Sequence, residues 1–233
     1  MPRYGAIAMK NDRSPEDSLQ TRALVVLGPF RGGTSLTCGV LQELGVFVGR
    51  KFWDASSNYC TYEALGLRNS CNACFDERPG GWQYLGTPQQ RILQLRQWID
   101  FARRAAVQQG CCGVGGKHPT LCKLVDEVSV AWRTAAGEPP ILIAVIRPLD
   151  QVLAGWEKAR DAYGNLWWPR PDRDRIVADL IESRDRALTG HPHVRVDFAK
   201  LLADPETTIS QLAKDCGLPT TNLKKAVQLV RPR

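Results

Sequence analysis

The sequence predicts an α/β fold, a three-layer sandwich with a central, mainly parallel sheet flanked by helices. Three observations carry this expectation. Two aliphatic runs, Ala23–Leu27 (ALVVL) and Ile141–Ile146 (ILIAVI), have the unbroken apolar character of strands buried on both faces. Each run passes at once into a polar turn and then into an apolar repeat at helical spacing. The unit recurs along the chain, as it does where parallel strands are joined by helical crossovers.

In chain order, residues 1–20 (MPRYGAIAMKNDRSPEDSLQ) lack the apolar core of a signal peptide and read as a polar, flexible arm. Residues 21–233 are expected to form one domain, as the length permits. After the first strand, Leu36, Val40, Leu41 and Leu44 recur at helical spacing, and Gly45 is placed to cap that helix. Residues 46–90, rich in Trp, Tyr, Gly and Cys, read as irregular. A shorter strand, Gly113–Gly116, leads through Lys117 into a predicted helix carrying Leu121, Leu124, Val125 and Val128. The second aliphatic run follows a Pro139-Pro140 turn and precedes a helix with Val152, Leu153 and Trp156. The stretch YGNLWWPRPDRDR from Tyr163 contains two prolines and cannot be helical throughout. A fourth strand is predicted over Val194–Phe198.

With 43% hydrophobic and 24% charged residues, the chain has ample material for a buried core. No apolar run reaches the roughly 18 residues of a membrane span, so no membrane association and a cytoplasmic location are expected. A formal charge of +7 implies attraction to anions. The Lys and Arg residues are scattered and do not interleave with aromatics, so a nucleic-acid partner is not expected. A pocket for a small polyanion accounts for the excess charge equally well. Of the eight cysteines, Cys71, Cys74, Cys111 and Cys112 could offer four thiolates to zinc. Adjacent cysteines rarely share one metal, and no second Cys-x-x-Cys completes the spacing, so reduced thiols and no metal are expected. Oligomeric state is not legible.

The turn after the first strand carries the chemistry. Ala23–Leu36 reads ALVVLGPFRGGTSL, and Gly28 and Gly33 have the spacing of a phosphate-binding P-loop. Gly28, Gly32 and Gly33 suit a tight turn, the helix N-terminus supplies backbone N–H donors, and Thr34 and Ser35 add hydroxyls. The alternative is a plain glycine-rich β–α turn. A nucleoside-triphosphate loop would place lysine where Thr34 stands, and no aliphatic run ends in a metal-holding Asp. Arg31 sits inside the loop instead, able to fork onto a terminal anionic group. A singly charged sulfuryl group needs less neutralisation than a γ-phosphoryl group, and no metal ion.

The stretch GPFRGGTSLTCGVLQELG resembles the 5′-phosphosulfate loop of the sulfotransferases that use 3′-phosphoadenylyl sulfate (PAPS), with Arg31-Gly32-Gly33-Thr34-Ser35 in its Arg-Ser-Gly-Thr position. ILIAVIRPLDQVLAGWEKAR resembles the 3′-phosphate element of that family, which assigns Arg147 to the 3′-phosphate. There are two departures. Arg147 and Pro148 are adjacent where the family usually spaces them by one residue, and the expected helix serine is Gly155. Lys158 or Arg160, about one turn on, could compensate. Gly116-Lys117-His118-Pro119 looks like the Lys-Asp-Pro element of tyrosylprotein-type and bacterial members, which gives Lys117 the sulfuryl or bridging oxygen. The segment VRVDFAKLLADPETTISQLAKDCGLP resembles the closing segment of the family. The likeness spans most of residues 22–218 and is patchy between 70 and 110. It implies PAPS as donor, no metal, and a small-molecule, glycan or peptide acceptor. Two rivals stand beside it: a P-loop small-molecule kinase, and a non-enzymatic nucleotide-binding relative of the sulfotransferases.

Arg31 and Lys117 are expected to stabilise the transferring group. Transfer to a hydroxyl or amine also needs a base. SNYCTYEALGLRN resembles a segment after the first helix of bacterial members; the match puts Glu63 at its glutamate, a carboxylate base in the tyrosylprotein-type enzymes, with a surface helix glutamate as the alternative. His118 and Asp54 are further candidates, whereas His191 and His193 flank Pro192 and read as loop residues. Trp53, Trp82, Trp167 and Trp168 could wall an acceptor site or simply pack under loops.

Overall fold

The computed structural model describes residues 21–49, 53–54, 59–60, 62–76, 83–163 and 170–230. In chain order, β1 (Arg22–Leu27) leads into α1 (Thr34–Glu43) and the short β2 (Val46–Phe47). An antiparallel ribbon of β3 (Trp53–Asp54) and β4 (Tyr59–Cys60) precedes α2 (Leu65–Asn72). A second ribbon, β5 (Phe75–Asp76) with β6 (Gln83–Tyr84), precedes the long α3 (Pro88–Gln108). β7 (Gly113–Lys117) passes through a 3-10 turn (Pro119–Lys123) into α4 (Val125–Ala136). Next come β8 (Ile141–Ile146), α5 (Leu149–Tyr163) and α6 (Arg170–Leu188). The described chain closes with β9 (His193–Asp197), α7 (Phe198–Ala203), α8 (Pro205–Asp215) and α9 (Leu223–Val230).

The main sheet is parallel throughout, in the order β2-β7-β1-β8-β9. Its central strand obeys the twofold alternation of side chains. Leu24 and Val26 face one core, shared with Cys38, Leu41, Ile209 and Val227 of α1, α8 and α9. Val25 and Leu27 face the other, with Ile99, Trp132 and Leu180 of α3, α4 and α6. Helices therefore cover both faces, and the three layers follow from two apolar faces that each need burial. The expected α/β architecture is the one observed.

Three local expectations are corrected. The longest helix of the described chain, α3, lies partly in a region read as irregular. Its N-terminus has a reciprocal capping box, with Gln90 N–H donating to the Thr87 hydroxyl and Gln90 Oε1 accepting from Thr87 N–H, and Pro88 begins the helix. Its buried stripe of Leu95, Trp98, Ile99, Ala102 and Ala106 is blurred in sequence by the buried Arg91 and the exposed Leu93 and Phe101. The helix expected across Leu121–Val128 is split: Leu124 ends the 3-10 turn and α4 starts at Val125. Phe198 is not the last strand residue, because the Asp197 side chain accepts from the N–H groups of Ala199 and Lys200 and starts α7 there. The predicted arm at 1–20 lies outside the described residues, as do residues 164–169.

Candidate functional site

The site is built at the carboxyl ends of four neighbouring strands. The glycine loop leaves β1, Lys117 ends β7, Arg147 follows β8 and Phe198 follows β9. Register sets these neighbours: Val26 pairs with Lys117, Leu27 with Ala144, and Ile146 with Asp197. This is the edge at which open α/β sheets collect ligands.

Within the loop, Gly32 N–H donates to Pro29 O at 3.0 Å, and two residues take left-handed backbone, Arg31 (φ 60°) and Gly33 (φ 91°). Gly33 is required twice over. Its φ disfavours a side chain, and an added Cβ would fall 2.2 Å from Cδ2 of Phe198. α1 begins at Thr34, and among the described residues no side chain caps its N-terminus. The first-turn N–H groups and the positive end of the helix dipole therefore face the loop. Thr34 is buried, with its methyl against Gly28, and Ser35 is partly exposed in the same turn. Beneath the loop, Gly28 N–H reaches the Cys122 thiol, and the buried Arg184 donates to Val145 O at 2.8 Å.

Arg31, Arg147 and Gly155 meet. Arg147 Nη1 donates to Arg31 O at 2.8 Å, which helps hold the loop in its left-handed bend. Arg31 Nε donates to Gly155 O at 3.3 Å, so its side chain runs to α5. A Cβ at Gly155 would lie 3.5 Å from both Arg147 Nη1 and Arg31 Cβ. The Phe198 ring carries the Arg147 guanidinium at 4.8 Å. Among the described residues no carboxylate pairs with either arginine. Arg147 Nε is buried without a partner among the described residues. Burial, then the neighbouring Arg31 charge, lower the pKa of Arg147. Two like charges are thus held together beside an uncapped helix end, an arrangement that favours an anion.

Lys117 and Glu63 form a second unit, with Lys117 Nζ 2.6 Å from Glu63 Oε1 and side chains 5% and 17% exposed. Glu63 stands just before α2, and an added Cβ at Gly39 of α1 would lie 3.0 Å from the neighbouring Tyr62 ring. Burial alone pushes the Glu63 carboxyl up, but Lys117, His118 and Arg68 together hold it below the ordinary carboxylate range. His118 is buried, its Nδ1 lies 2.8 Å from Thr120 Oγ1, and desolvation lowers its pKa to about 4. At neutral pH the unit holds a carboxylate, an ammonium and a neutral imidazole.

The other sequence candidates lie apart or outside. Nε2 of His191 meets Asp126 at 2.8 Å, and Nδ1 of His193 meets His191 O at 2.9 Å, so both serve a loop. Lys158 is exposed on α5. The side chains of Asp54, Trp53 and Arg160, and all of Trp82, Trp167 and Trp168, lie outside the described residues. Sequence reasoning missed Phe198, Cys122 and Arg184. Phe198 was visible as a residue but not as a neighbour of Gly33, since that contact depends on the β8–β9 register. Cys71 and Cys74 are buried, Cys111 and Cys112 are partly exposed, and among the described residues no metal-holding group of three or more His, Cys, Asp or Glu is present. Among the described residues no helix is long and apolar enough to cross a membrane.

No protein-family model and no curated protein sequence matches the chain. Solved structures do match in fold. The sulfotransferase domain of the Synechococcus PCC 7002 olefin synthase is 14% identical with a TM-score of 0.52, covering 91% of this chain and 78% of that one. Sulfotransferase STF9 from Mycobacterium avium is 12% identical with a TM-score of 0.51, covering 89% of this chain and 67% of that one. The chain has the fold of sulfotransferase domains.

Proposed function

We propose that this protein is a sulfotransferase that takes its sulfuryl group from PAPS and delivers it to a hydroxyl or amine in the cytoplasm. One observation carries the reading: Arg31 and Arg147 converge beside the start of α1, with no carboxylate partner and no side-chain cap among the described residues. The residues suit such a donor. The buried, unpartnered Nε of Arg147 needs an acceptor, and the first-turn N–H groups of α1 do as well. The loop Gly28–Ser35 would hold the 5′ end, and Arg147 the 3′ end.

When bound, PAPS supplies a sulfuryl group on a phosphate leaving group. The chain provides the rest. Lys117 Nζ offers fixed positive charge where negative charge develops, inside a buried setting that strengthens it. Glu63 is ionised at neutral pH and accepts the acceptor's proton at its carboxylate. The Lys117–Glu63 bond keeps the two groups in register. The neutral His118 holds its ring through Thr120 and is not charged competition for Lys117. The acceptor is a small molecule, glycan or peptide.

The test is calorimetric titration with adenosine 3′,5′-bisphosphate, ATP and 5′-AMP, with and without Mg²⁺, followed by a labelled-PAPS acceptor screen. Metal-independent preference for the bisphosphate is expected. Preference for ATP with Mg²⁺ would make the protein a kinase, and bisphosphate binding with no transfer to phenols, sugars or peptides would make it a binder. Glu63→Gln is expected to cut turnover by about 10²-fold or more with little change in bisphosphate affinity.

A further inference from the structure

The two arginines can be assigned more narrowly, on the basis of the PAPS reading. We infer that Arg31 and Arg147 together form the subsite for the donor's 3′-phosphate, so that Arg31 grips the far end of the nucleotide and not the transferring group.

Direction is the first argument. The Arg31 side chain leaves the loop and crosses to α5, where Nε bonds Gly155 O at 3.3 Å. Lys117 stands on the other side of β1, since β1 lies between β7 and β8 in the sheet. The transferring end of a donor seated by Lys117 and Glu63 is therefore on the β7 side, and Arg31 reaches toward β8. Space is the second argument. Gly155 has no side chain, and a Cβ there would touch both Arg147 Nη1 and Arg31 Cβ at 3.5 Å. The bare backbone at Gly155 lets the loop arginine run against α5 and bond its carbonyl.

Charge is the third. Two guanidiniums with no carboxylate among the described residues leave a local charge of +2, which a single negative charge would not balance. A phosphomonoester dianion balances it and offers three terminal oxygens to forked donors. In PAPS the 3′-phosphate is the phosphomonoester, whereas the phosphate and sulfate of the anhydride each carry one charge. Arg147 is already set to grip such a group, with Nη1 tied to Arg31 O, the Phe198 ring behind the guanidinium, and the buried Nε without a partner within the described protein. The loop and its subsite are one object, because the same Arg31 supplies the carbonyl that Arg147 grips and the guanidinium that joins it.

Calorimetry with adenosine 3′,5′-bisphosphate and 5′-AMP separates the outcomes. Arg31→Gly keeps the left-handed backbone and removes the guanidinium. The expected loss is about 10- to 100-fold in bisphosphate affinity, against less than about threefold for 5′-AMP. Gly155→Val, which changes no charge, sets branched methyls against Arg147 Nη1 and the Arg31 stem and should reproduce that selective loss. Thermal unfolding of both variants confirms that they fold. Equal weakening of both nucleotides by Arg31→Gly, or unchanged bisphosphate binding, overturns the inference. If the unmutated protein itself fails to prefer the bisphosphate to 5′-AMP, the donor reading fails first, and the assignment with it.

Discussion

Removing one partner of the Lys117–Glu63 pair gives the sharpest stability prediction. In Glu63→Gln the ammonium of Lys117, only 5% exposed, keeps its burial and loses its counter-charge at 2.6 Å. Breaking a buried pair in this way costs about 3–5 kcal/mol, and the 17% exposure of Glu63 places the loss near the lower end, about 3 kcal/mol. For a domain of this length that corresponds to a fall in Tm of about 6–12 °C. Urea unfolding reads the loss directly, provided the m-value is unchanged. A double variant, Glu63→Gln with Lys117→Met, removes both charges and should recover at least half of it. The pH dependence follows in sign. The folded carboxyl sits below its ordinary 4.5, so the stability it contributes is complete above that value and disappears as pH falls through the lower folded one. Glu63→Gln should lack this acid-side loss. A single-variant cost under about 1 kcal/mol, or a coupling energy near zero in the cycle, would refute the reasoning.

Three further outcomes are expected. Gly33→Ala must force a side chain into φ 91° and against the Phe198 ring, so about 2–5 kcal/mol of stability should be lost; a variant as stable as the parent in urea would contradict the loop geometry. His118 should remain neutral down to about pH 4 in a histidine NMR titration, and the stability held by its neutral form, full above pH 6.5, should decline as pH falls toward 4; a midpoint near 6.5 would show that the ring is solvated. Burial raises the thiols of Cys38, Cys122 and Cys216 to about 12, so alkylation followed by mass spectrometry should modify the partly exposed Cys111 and Cys112 before those three. Early labelling of Cys38 in the native protein would overturn that order.

The parts of the fold that were legible share one property: their signal is local. β1 and β8 are unbroken aliphatic runs because both faces are covered, and the apolar spacing of α1 is set by one core. α3 escaped because the buried Arg91, paired with Glu127 at 2.7 Å, puts a charge on its inner face. At the site, residue types were readable and geometry was not. Glu63 and Lys117 are separated by 54 positions and meet where Leu67 of α2 lies against Gly116 of β7. Whether the Arg31 side chain faces β7 or β8 is not encoded in its neighbours, because the left-handed turn that aims it depends on a bond from Arg147, 116 positions away. Phe198 was hidden for the same reason.

Phe198 also links the margin of the sheet to its centre. Among the described residues β9 is an edge strand paired with β8 alone, and edge strands open more readily than central ones. Its last pair leads straight into the ring that presses on Gly33 and supports Arg147. Closing β9 and shaping the loop are therefore one cooperative event. An anion that binds the shaped loop should, by linkage, slow the exchange of the amide hydrogens of His193–Asp197.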